Sequence, residues 1–325
     1  MKIEGLNSLR FFAFLSIYLF HTTPFFKYGY AGVDFFFVLS SFLLTYLALK
    51  EFEVTSGFSK RNFFIRRALR IFPLYFLVLI FSFLILPLAG SYFNYSISLP
   101  QQEWMYVFFL SNYDYADSIF ALKFLWSIGV EEQFYLLFLI SSTFIIKRPL
   151  FIIIFLLAVF VLFMLIAEAN NFNFYTHTIT HFPKFLAGIA GAHLYYKNNY
   201  KSANILFLLV VSFVLLFIPQ PDLITHLLLS LLFICIIMLA VKYASGLKKN
   251  IFYRFTETWG NYTYGLYVYS GFVITFNSKF IHIDNAVLNF AVCLLLLLIV
   301  SYLSYHFYEK WFLALKKYFR TVKEI

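Results

Sequence analysis

The feature that most constrains the fold is a series of long apolar stretches separated by short polar breaks. A transmembrane helix needs about 20 mainly apolar residues to cross about 30 Å of hydrocarbon. Hydrophobic residues make up 62% of the 325-residue chain and charged residues only 12%, which excludes an ordinary soluble domain. The sequence therefore predicts an all-α, polytopic membrane protein with about ten transmembrane helices in one bundle. The predicted spans are approximately 8–26, 32–49, 71–90, 126–146, 150–167, 181–196, 203–218, 223–241, 259–277 and 286–308.

The longest break, 91–125, contains the apolar stretch Trp104–Leu110, which is about half the length of a span. We interpret it as a short re-entrant or interfacial piece, and an extra span within 100–125 is the alternative. Residues 1–309 then form one transmembrane domain. Residues 310–325 form a basic amphipathic tail that lies at the cytoplasmic membrane surface.

The distribution of Lys and Arg predicts the orientation, because cationic loops stay on the cytoplasmic side during insertion. If the N-terminus is cytoplasmic, the cytoplasmic segments hold 21 of the 25 Lys and Arg residues. Both termini are therefore expected inside. The net charge of +10 is then an orientation signal and a contact with anionic membrane lipids, and no nucleic-acid partner is expected.

Charged and titratable residues inside the predicted spans are candidates for function, because each costs about 2.5–3.5 kcal/mol on insertion scales. Arg10 and His21 lie eleven residues apart on the first span. Three turns of helix place them on one face, about 16 Å apart along the axis. A snorkelling Arg and a hydrogen-bonded buried His are the structural alternative.

A basic segment, SKRNFFIRRALRIFPLY at 59–75, precedes the third span. Arg67 and Arg70 share a helical face, with Arg66 beside them, and such guanidinium groups suit phosphates. A run that only sets the orientation is the alternative. Asp34 stands near the outer mouth of the second span, where it either joins a site or stabilises a helix start.

Two adjacent carboxylates, Glu131 and Glu132, lie in the segment LWSIGVEEQFYLL at 125–137. They point about 100° apart on a helix, so one faces the bundle while the other faces a mouth or partner. Glu309 at the inner end of the last span either joins the site or acts as an anchor. No His, Cys or carboxylate cluster has the spacing of metal ligands, so no metal is expected.

Together these motifs resemble those of the membrane-bound acyltransferase 3 family of integral-membrane carbohydrate O-acyltransferases. The resemblance rests on the Arg10/His21 pair and on the segments GVDFFFVLSSFLL, RRALRIFP, WSIGVEEQFYL, YGLYV and YEKW. The chain departs from the family pattern at three positions. Ser41 replaces a glycine, Ser270 stands where a His is frequent, and Trp311 replaces a proline.

The resemblance implies transfer of an acyl group, in most members acetyl, from cytoplasmic acyl-coenzyme A to a carbohydrate hydroxyl on the outer side. His21 is then the expected general base, or alternatively a covalent acyl carrier, and Glu131 or Glu132 orients its imidazole. The expected coenzyme-binding residues are Arg10, Arg66, Arg67 and Arg70, and the expected substrate-binding residues are Asp34, Trp126 and Glu309.

The family also implies the setting of the reaction. The expected acceptor is a surface or secreted carbohydrate or a lipid-linked glycan, such as a lipopolysaccharide O-antigen, a capsule or an exopolysaccharide. The expected location is the bacterial cytoplasmic membrane. A transporter or flippase of a lipid-linked saccharide is the alternative, and binding of coenzyme A distinguishes the two. The sequence does not fix the oligomeric state.

Overall fold

The structure is a computed structural model that describes residues 3–92, 99–114, 119–170, 174–247, 250–281 and 283–319. Within these ranges the protein is helical and contains no β-strand. The first seven helices are α1 (Leu6–Thr22), α2 (Ala31–Thr55), α3 (Lys60–Ile80), α4 (Leu86–Tyr92), α5 (Glu103–Val107), α6 (Phe120–Lys123) and α7 (Leu125–Lys147). The remaining eight are α8 (Pro149–Ala169), α9 (Phe182–Tyr196), α10 (Ser202–Leu215), α11 (Asp222–Tyr243), α12 (Ile251–Trp259), α13 (Thr263–Phe280), α14 (Ala286–Ser304) and α15 (Lys310–Leu315).

Six continuous helical stretches among the described residues are long and apolar enough to cross a membrane. They are Ala31–Thr55, Lys60–Tyr92, Phe120–Lys147, Pro149–Ala169, Asp222–Leu247 and Ala286–Phe319. The chain is thus a multi-pass helical membrane protein, as the sequence predicts.

The other four predicted spans also coincide with helices. Helices α1, α9 and α10 have 17, 15 and 14 residues, and at 1.5 Å per residue these are about 21–26 Å long, less than the hydrocarbon thickness. Helix α13 has 18 residues, but its last turns carry the polar run Asn277–Lys279. The count of ten spans and the cytoplasmic location of both termini therefore stay predictions.

The segment 91–125 forms no additional span in its described part. Helix α5 has five residues, and after it Phe109 adopts a positive φ of 59°. A 3₁₀ turn at Ser111–Tyr113 follows, and residues 93–98 and 115–118 lie outside the described ranges. The described part therefore contains short helical pieces, and the interpretation of Trp104–Leu110 as a re-entrant or interfacial piece stays a prediction.

Helix α2 lies at the centre of the bundle. It packs against α9 most extensively and also against α1, α7 and α11. By contrast, α8 exposes large apolar side chains such as Leu150, Ile154 and Leu162, which are 60–72% exposed. Exposed apolar surface of this extent is the expected lipid-facing side of a membrane protein.

Gly188 allows α2 and α9 to approach closely. A Cβ atom at this position would lie 1.8 Å from Ser41 Oγ and 2.4 Å from the carbonyl oxygen of Val38. Ser41 is fully buried, and its hydroxyl donates a hydrogen bond to that same carbonyl at 3.0 Å. The absence of a side chain on α9 therefore makes room for the serine that replaces the family's glycine on α2.

The chain end folds back onto α3. Helix α14 continues through a π-helical turn at Tyr305–Glu309 into α15, and a 3₁₀ turn at Lys316–Phe319 follows. Both α15 and this 3₁₀ turn pack against α3. Residues 320–325, the rest of the predicted amphipathic tail, lie outside the described residues.

Candidate active site

Two cavities meet inside the bundle. The arginine cavity has a volume of about 80 Å³ and is lined by α1, α2, α3, α7 and α13. The histidine cavity has a volume of about 330 Å³ and is lined mainly by α1, α6 and the start of α7. Val33 and Tyr267 border both cavities, so these two side chains form the wall between them.

Three guanidinium groups, those of Arg10, Arg67 and Arg70, line the arginine cavity. Helix α1 provides Arg10, whose Nη1 donates a hydrogen bond to Asn7 Oδ1 at 2.9 Å. Helix α3 provides the other two from one face, and the Arg67 guanidinium lies 5.8 Å from the ring of Phe63. The structure thus brings together three of the four arginines that the sequence predicted to bind one ligand, and the binding itself stays a prediction.

Glu131 is the one acidic side chain that lines the arginine cavity. Its Oε1 accepts hydrogen bonds from the Ser40 hydroxyl, at 2.5 Å, and from the Tyr135 hydroxyl. Across the described part of the chain, no carboxylate oxygen lies within salt-bridge distance of Arg10, Arg67 or Arg70. Three cations thus face one carboxylate in a confined space, and such an excess of positive charge fits a phosphate-bearing ligand.

Arg66 does not belong to this group, which corrects the prediction that it binds the same ligand. Neighbouring residues on a helix point about 100° apart, so Arg66 turns away from the cavity that Arg67 lines. Its Nη2 pairs with Glu51 Oε2 at 3.3 Å, and its Nη1 donates a hydrogen bond to the Phe319 carbonyl at 2.7 Å. Arg66 therefore anchors the chain end to α3.

His21 lines the histidine cavity. Its imidazole lies among the rings of Phe20, Phe120 and Phe124, at centroid distances of 4.9, 5.8 and 4.7 Å. No hydrogen bond joins the imidazole to another described residue, so both ring nitrogens are available to a molecule in the cavity. Helix α1 thus provides Arg10 to one cavity and His21 to the other, as the eleven-residue spacing predicts.

Neither Glu131 nor Glu132 contacts His21, which corrects the predicted pairing of a carboxylate with the imidazole. Trp126 lines the histidine cavity, and Glu131 lies five residues further along α7, about 7.5 Å closer to the arginine end. Glu132 projects from another side of the helix, where its Oε1 is buried without a hydrogen-bond partner. The imidazole and the Glu131 carboxylate therefore line different cavities, and Glu132 lines neither.

Aromatic side chains form much of the histidine cavity. The ring centroids of Trp126 and Tyr175 lie 5.4 Å apart, and Tyr30 adds a hydroxyl group to the lining of this cavity. Burial raises the pKa of the Tyr30 hydroxyl, and the nearby Asp34 carboxylate adds to the rise, so this group stays protonated as a donor. Flat aromatic faces with polar groups at the edge suit a sugar ring.

Asp34 lines neither cavity, which corrects its prediction as a substrate-binding residue. It is 2% exposed and pairs with Lys184 Nζ at 3.5 Å and with His181 Nδ1 at 3.1 Å. Lys184 also contacts His226 Nδ1, and His181 Nε2 lies 2.9 Å from the carbonyl oxygen of Tyr175. This buried cluster of Asp34, His181, Lys184 and His226 therefore fixes the backbone at Tyr175, whose side chain lines the histidine cavity.

Glu309 is also buried outside both cavities, which corrects its prediction as a substrate-binding residue. The carboxylate accepts a hydrogen bond from Ser304 Oγ at 2.9 Å. Its charge also interacts with that of Arg70. It lies against Gly265 of α13, where a Cβ atom would be 3.3 Å from its Oε1. Glu309 therefore lies between α13 and the turn that follows α14.

Sequence reasoning missed a pair of hydroxyl groups at the wall. Ser127 and Tyr267 line the arginine cavity, and their hydroxyl oxygens lie 2.7 Å apart. Both belong to segments singled out in the sequence, WSIGVEEQFYL and YGLYV, but a serine and a tyrosine inside apolar helices are too common to stand out. The described residues contain no group of three or more His, Cys, Asp or Glu side chains placed to hold a metal ion.

The fold and these cavities define a multi-pass helical membrane protein with a buried, cation-lined binding site. The family described as "Acyltransferase domain" matches residues 3–306. The chain therefore belongs to the acyltransferase 3 family, and it is an acyltransferase.

Curated relatives of this chain are named as O-acetyltransferases or putative O-acetyltransferases. O-acetyltransferase OatA of Staphylococcus aureus (strain NCTC 8325 / PS 47) is 33% identical over 160 residues, which are 45% of this chain and 26% of that protein. Putative O-acetyltransferase SACOL0978 of Staphylococcus aureus (strain COL) is 33% identical over 144 residues, 42% of this chain and 24% of that protein. The match thus spans about a quarter of the length of these relatives. No solved structure shows significant similarity.

Proposed function

We propose that this protein transfers an acetyl group from acetyl-coenzyme A to a hydroxyl of a surface or secreted carbohydrate or of a lipid-linked glycan. One observation carries the proposal: a cavity lined by three guanidinium groups and one carboxylate adjoins a cavity that holds an imidazole without a hydrogen bond to any described residue, across a wall of two side chains. The names of the relatives support an oxygen acceptor and an acetyl group. The proposed location is the bacterial cytoplasmic membrane, with the donor inside and the acceptor outside.

Arg10, Arg67 and Arg70 bind the phosphates of the coenzyme in this proposal. Guanidinium groups form short charge-assisted hydrogen bonds to phosphate oxygens, and each such bond contributes about 1.5–3 kcal/mol. The thioester then lies at the end of the arginine cavity, against Val33 and Tyr267. The phosphates remain on their own side while the acyl group reaches the wall.

His21 acts as the general base on the acceptor, which lies in the histidine cavity against Trp126. The imidazole takes the proton of the acceptor hydroxyl as its oxygen attacks the thioester carbonyl carbon. The carbon–sulfur bond then breaks, the thiolate leaves and takes up a proton from water on the donor side, and His21 gives its proton to water on the acceptor side. In the alternative sequence of steps, the acyl group first moves to a His21 nitrogen and then to the hydroxyl.

The donor site is tested by calorimetry with acetyl-coenzyme A on the detergent-solubilised full chain. The double variant Arg67→Ala/Arg70→Ala removes two charge-assisted contacts, so its Kd is expected to rise at least about 100-fold. Arg61→Ala is the matched control, because Arg61 is exposed at the start of α3 and lines neither cavity. Equal affinity of the double variant and the wild type would show that the arginine cavity is not the donor site.

The acceptor site is tested with His21→Ala. This variant is expected to bind acetyl-coenzyme A normally while acetyl transfer falls about 10²- to 10⁴-fold, the usual contribution of a general base. His177→Ala is the control, because His177 lines neither cavity. Incubation with radiolabelled donor without acceptor distinguishes direct transfer from a labelled acyl-enzyme. A folded His21→Ala protein with full turnover would refute the assignment.

A further inference from the structure

The hydroxyl pair of Ser127 and Tyr267 lies where the two cavities meet. Tyr267 is part of the wall itself, and Ser127 lines the arginine cavity beside it, with 2.7 Å between the two hydroxyl oxygens. Trp126, the neighbour of Ser127 at the start of α7, lines the histidine cavity instead. The pair therefore lies at the place where the proposed reaction brings the thioester and the acceptor together.

The proton of Ser127 is held less firmly than those of the other hydroxyl groups around the arginine cavity. Besides Tyr267, the described residues offer it one acceptor, the Phe124 carbonyl oxygen at 3.4 Å, which is farther than the roughly 2.5–3.0 Å of an ordinary O–H···O bond. Four other hydroxyl groups of this lining donate to closer acceptors: those of Ser40 and Tyr135 to Glu131, that of Tyr264 to the Ile71 carbonyl and that of Thr263 to the Gly260 carbonyl. Ser127 can therefore turn its proton to a ligand while little is lost.

Tyr267 is placed to strengthen this donor. A phenol donates a stronger hydrogen bond than an alcohol does, so in this pair the Tyr267 hydroxyl donates and the Ser127 oxygen accepts. A hydroxyl that accepts one hydrogen bond donates a stronger one, because hydrogen bonds in a chain polarise one another. The chain from Tyr267 through Ser127 thus ends in one donor at the arginine cavity.

We propose that Ser127 is a catalytic residue of the acetyl transfer, whose hydroxyl donates a hydrogen bond to the thioester carbonyl oxygen as this oxygen becomes negatively charged. This inference rests on the proposed function. When the acceptor oxygen bonds to the carbonyl carbon, one electron pair of the carbon–oxygen double bond moves onto the carbonyl oxygen. That pair returns when the carbon–sulfur bond breaks, and the Ser127 proton stays on the serine throughout. Tyr267 acts through Ser127 and is a positioning residue.

The test measures kcat for acetyl transfer and the Kd for acetyl-coenzyme A on the detergent-solubilised full chain. We expect Ser127→Ala to lower kcat about 10²- to 10³-fold, as the loss of one oxyanion donor does, and to leave the Kd unchanged. Tyr267→Phe keeps the aromatic wall and is expected to lower kcat up to about tenfold, the net contribution of one neutral hydrogen bond. The double variant is expected to be no slower than Ser127→Ala, because Tyr267 acts through the serine.

Two matched controls lie on the same helices. Ser142 of α7 is buried, and its hydroxyl donates to the Leu139 carbonyl three residues earlier. Tyr269 of α13 forms a second tyrosine–serine pair, with Ser304 at 3.0 Å. Neither Ser142 nor Tyr269 lines a cavity, so Ser142→Ala and Tyr269→Phe are expected to keep the wild-type kcat.

Infrared spectroscopy of bound acetyl-coenzyme A, isotopically labelled at the thioester carbonyl, provides a readout that a merely structural serine would not change. A hydrogen bond to the carbonyl oxygen lowers its stretching frequency, so this frequency is expected to be higher in Ser127→Ala than in the wild type. An equal frequency, or a Ser127→Ala protein with the kcat of Ser142→Ala, would overturn the inference. If Ser127→Ala does not fold, Tyr267→Phe decides, and a kcat equal to that of Tyr269→Phe would overturn it.

The proposed function fails separately. If the wild type transfers acetyl from acetyl-coenzyme A and Ser127→Ala does so at the full rate, the proposed function stands and the role of the serine falls. If the wild type cleaves acetyl-coenzyme A in a Ser127-dependent way but acetylates no carbohydrate, the role of the serine stands and the proposed acceptor falls. A wild type that neither binds nor cleaves acetyl-coenzyme A overturns both.

Discussion

The ion pair between Lys184 and Asp34 is expected to be the most sensitive charge pair in the bundle. Lys184 is 0% exposed and Asp34 2% exposed, at an Nζ–Oδ1 distance of 3.5 Å. Removing one partner of a buried pair leaves an uncompensated charge, which costs about 3–5 kcal/mol. Lys184→Met and Asp34→Asn are therefore each expected to lower the free energy of unfolding by about this amount. That is a change of roughly 100- to 5,000-fold in the folded-to-unfolded ratio.

The double variant Lys184→Met/Asp34→Asn removes both charges and is expected to be less damaged than the sum of the single variants. The coupling energy is expected to be about 2–3 kcal/mol, at the upper end of values for residues in contact. The assay is denaturant-induced unfolding in detergent, followed by tryptophan fluorescence. Lys50→Met is the matched control, since Lys50 and Glu53 form a pair at 2.9 Å that is 30% and 50% exposed and is expected to contribute less than about 1 kcal/mol.

Two results would refute this reasoning. A loss below about 1 kcal/mol for Lys184→Met would mean that Asp34 is compensated without Lys184, by His181 at 3.1 Å or by water or a counter-ion that reaches the cluster. Additive effects of the two substitutions would mean that the charges do not interact across the 3.5 Å that separates them.

Three further predictions concern the cavities and the packing of α2. Trp126→Ala is expected to raise the KM for the carbohydrate acceptor up to about tenfold while the Kd for acetyl-coenzyme A stays unchanged, because packing on an aromatic face contributes about 0.5–1.5 kcal/mol. Equal changes in both constants would contradict this prediction. Tyr267→Ala opens the wall to water, so hydrolysis of acetyl-coenzyme A without acceptor is expected to increase, as measured by free thiol release. Gly188→Val is expected to prevent α2 and α9 from packing and to abolish the folded fraction in size-exclusion chromatography, whereas Ser41→Gly, at the other side of that contact, is expected to fold.

Local periodicity was sufficient to predict the elements and part of the site. The eleven-residue spacing of Arg10 and His21 fixes their separation along α1 whatever surrounds the helix, and the cavities lie where this spacing places them. Likewise, the three-residue spacing of Arg67 and Arg70 suffices to put them on one face. These features depend on a single helix.

Features that depend on two or more helices were not predictable from the pattern. Asp34 looks like a residue at a cavity mouth in the sequence, and only the fold brings it Lys184 from α9 and His181 from the turn before α9 as partners. The sequence suggests Glu131 as a partner for the imidazole. The relative depth of α1 and α7, which only the fold determines, places it beside Ser40 instead. In each case the partner comes from a distant part of the sequence.

The wall of Val33 and Tyr267 also has an electrical consequence for the proposed reaction. The acyl group crosses this wall uncharged, but the acceptor gives up a proton on one side of it and the thiolate takes up a proton on the other. A turnover that leaves the first proton on the acceptor side therefore moves one positive charge across the membrane. Moving one charge costs about 2.3 kcal/mol per 100 mV of transmembrane potential. In sealed vesicles, an imposed potential that is positive on the acceptor side would then slow acetyl transfer.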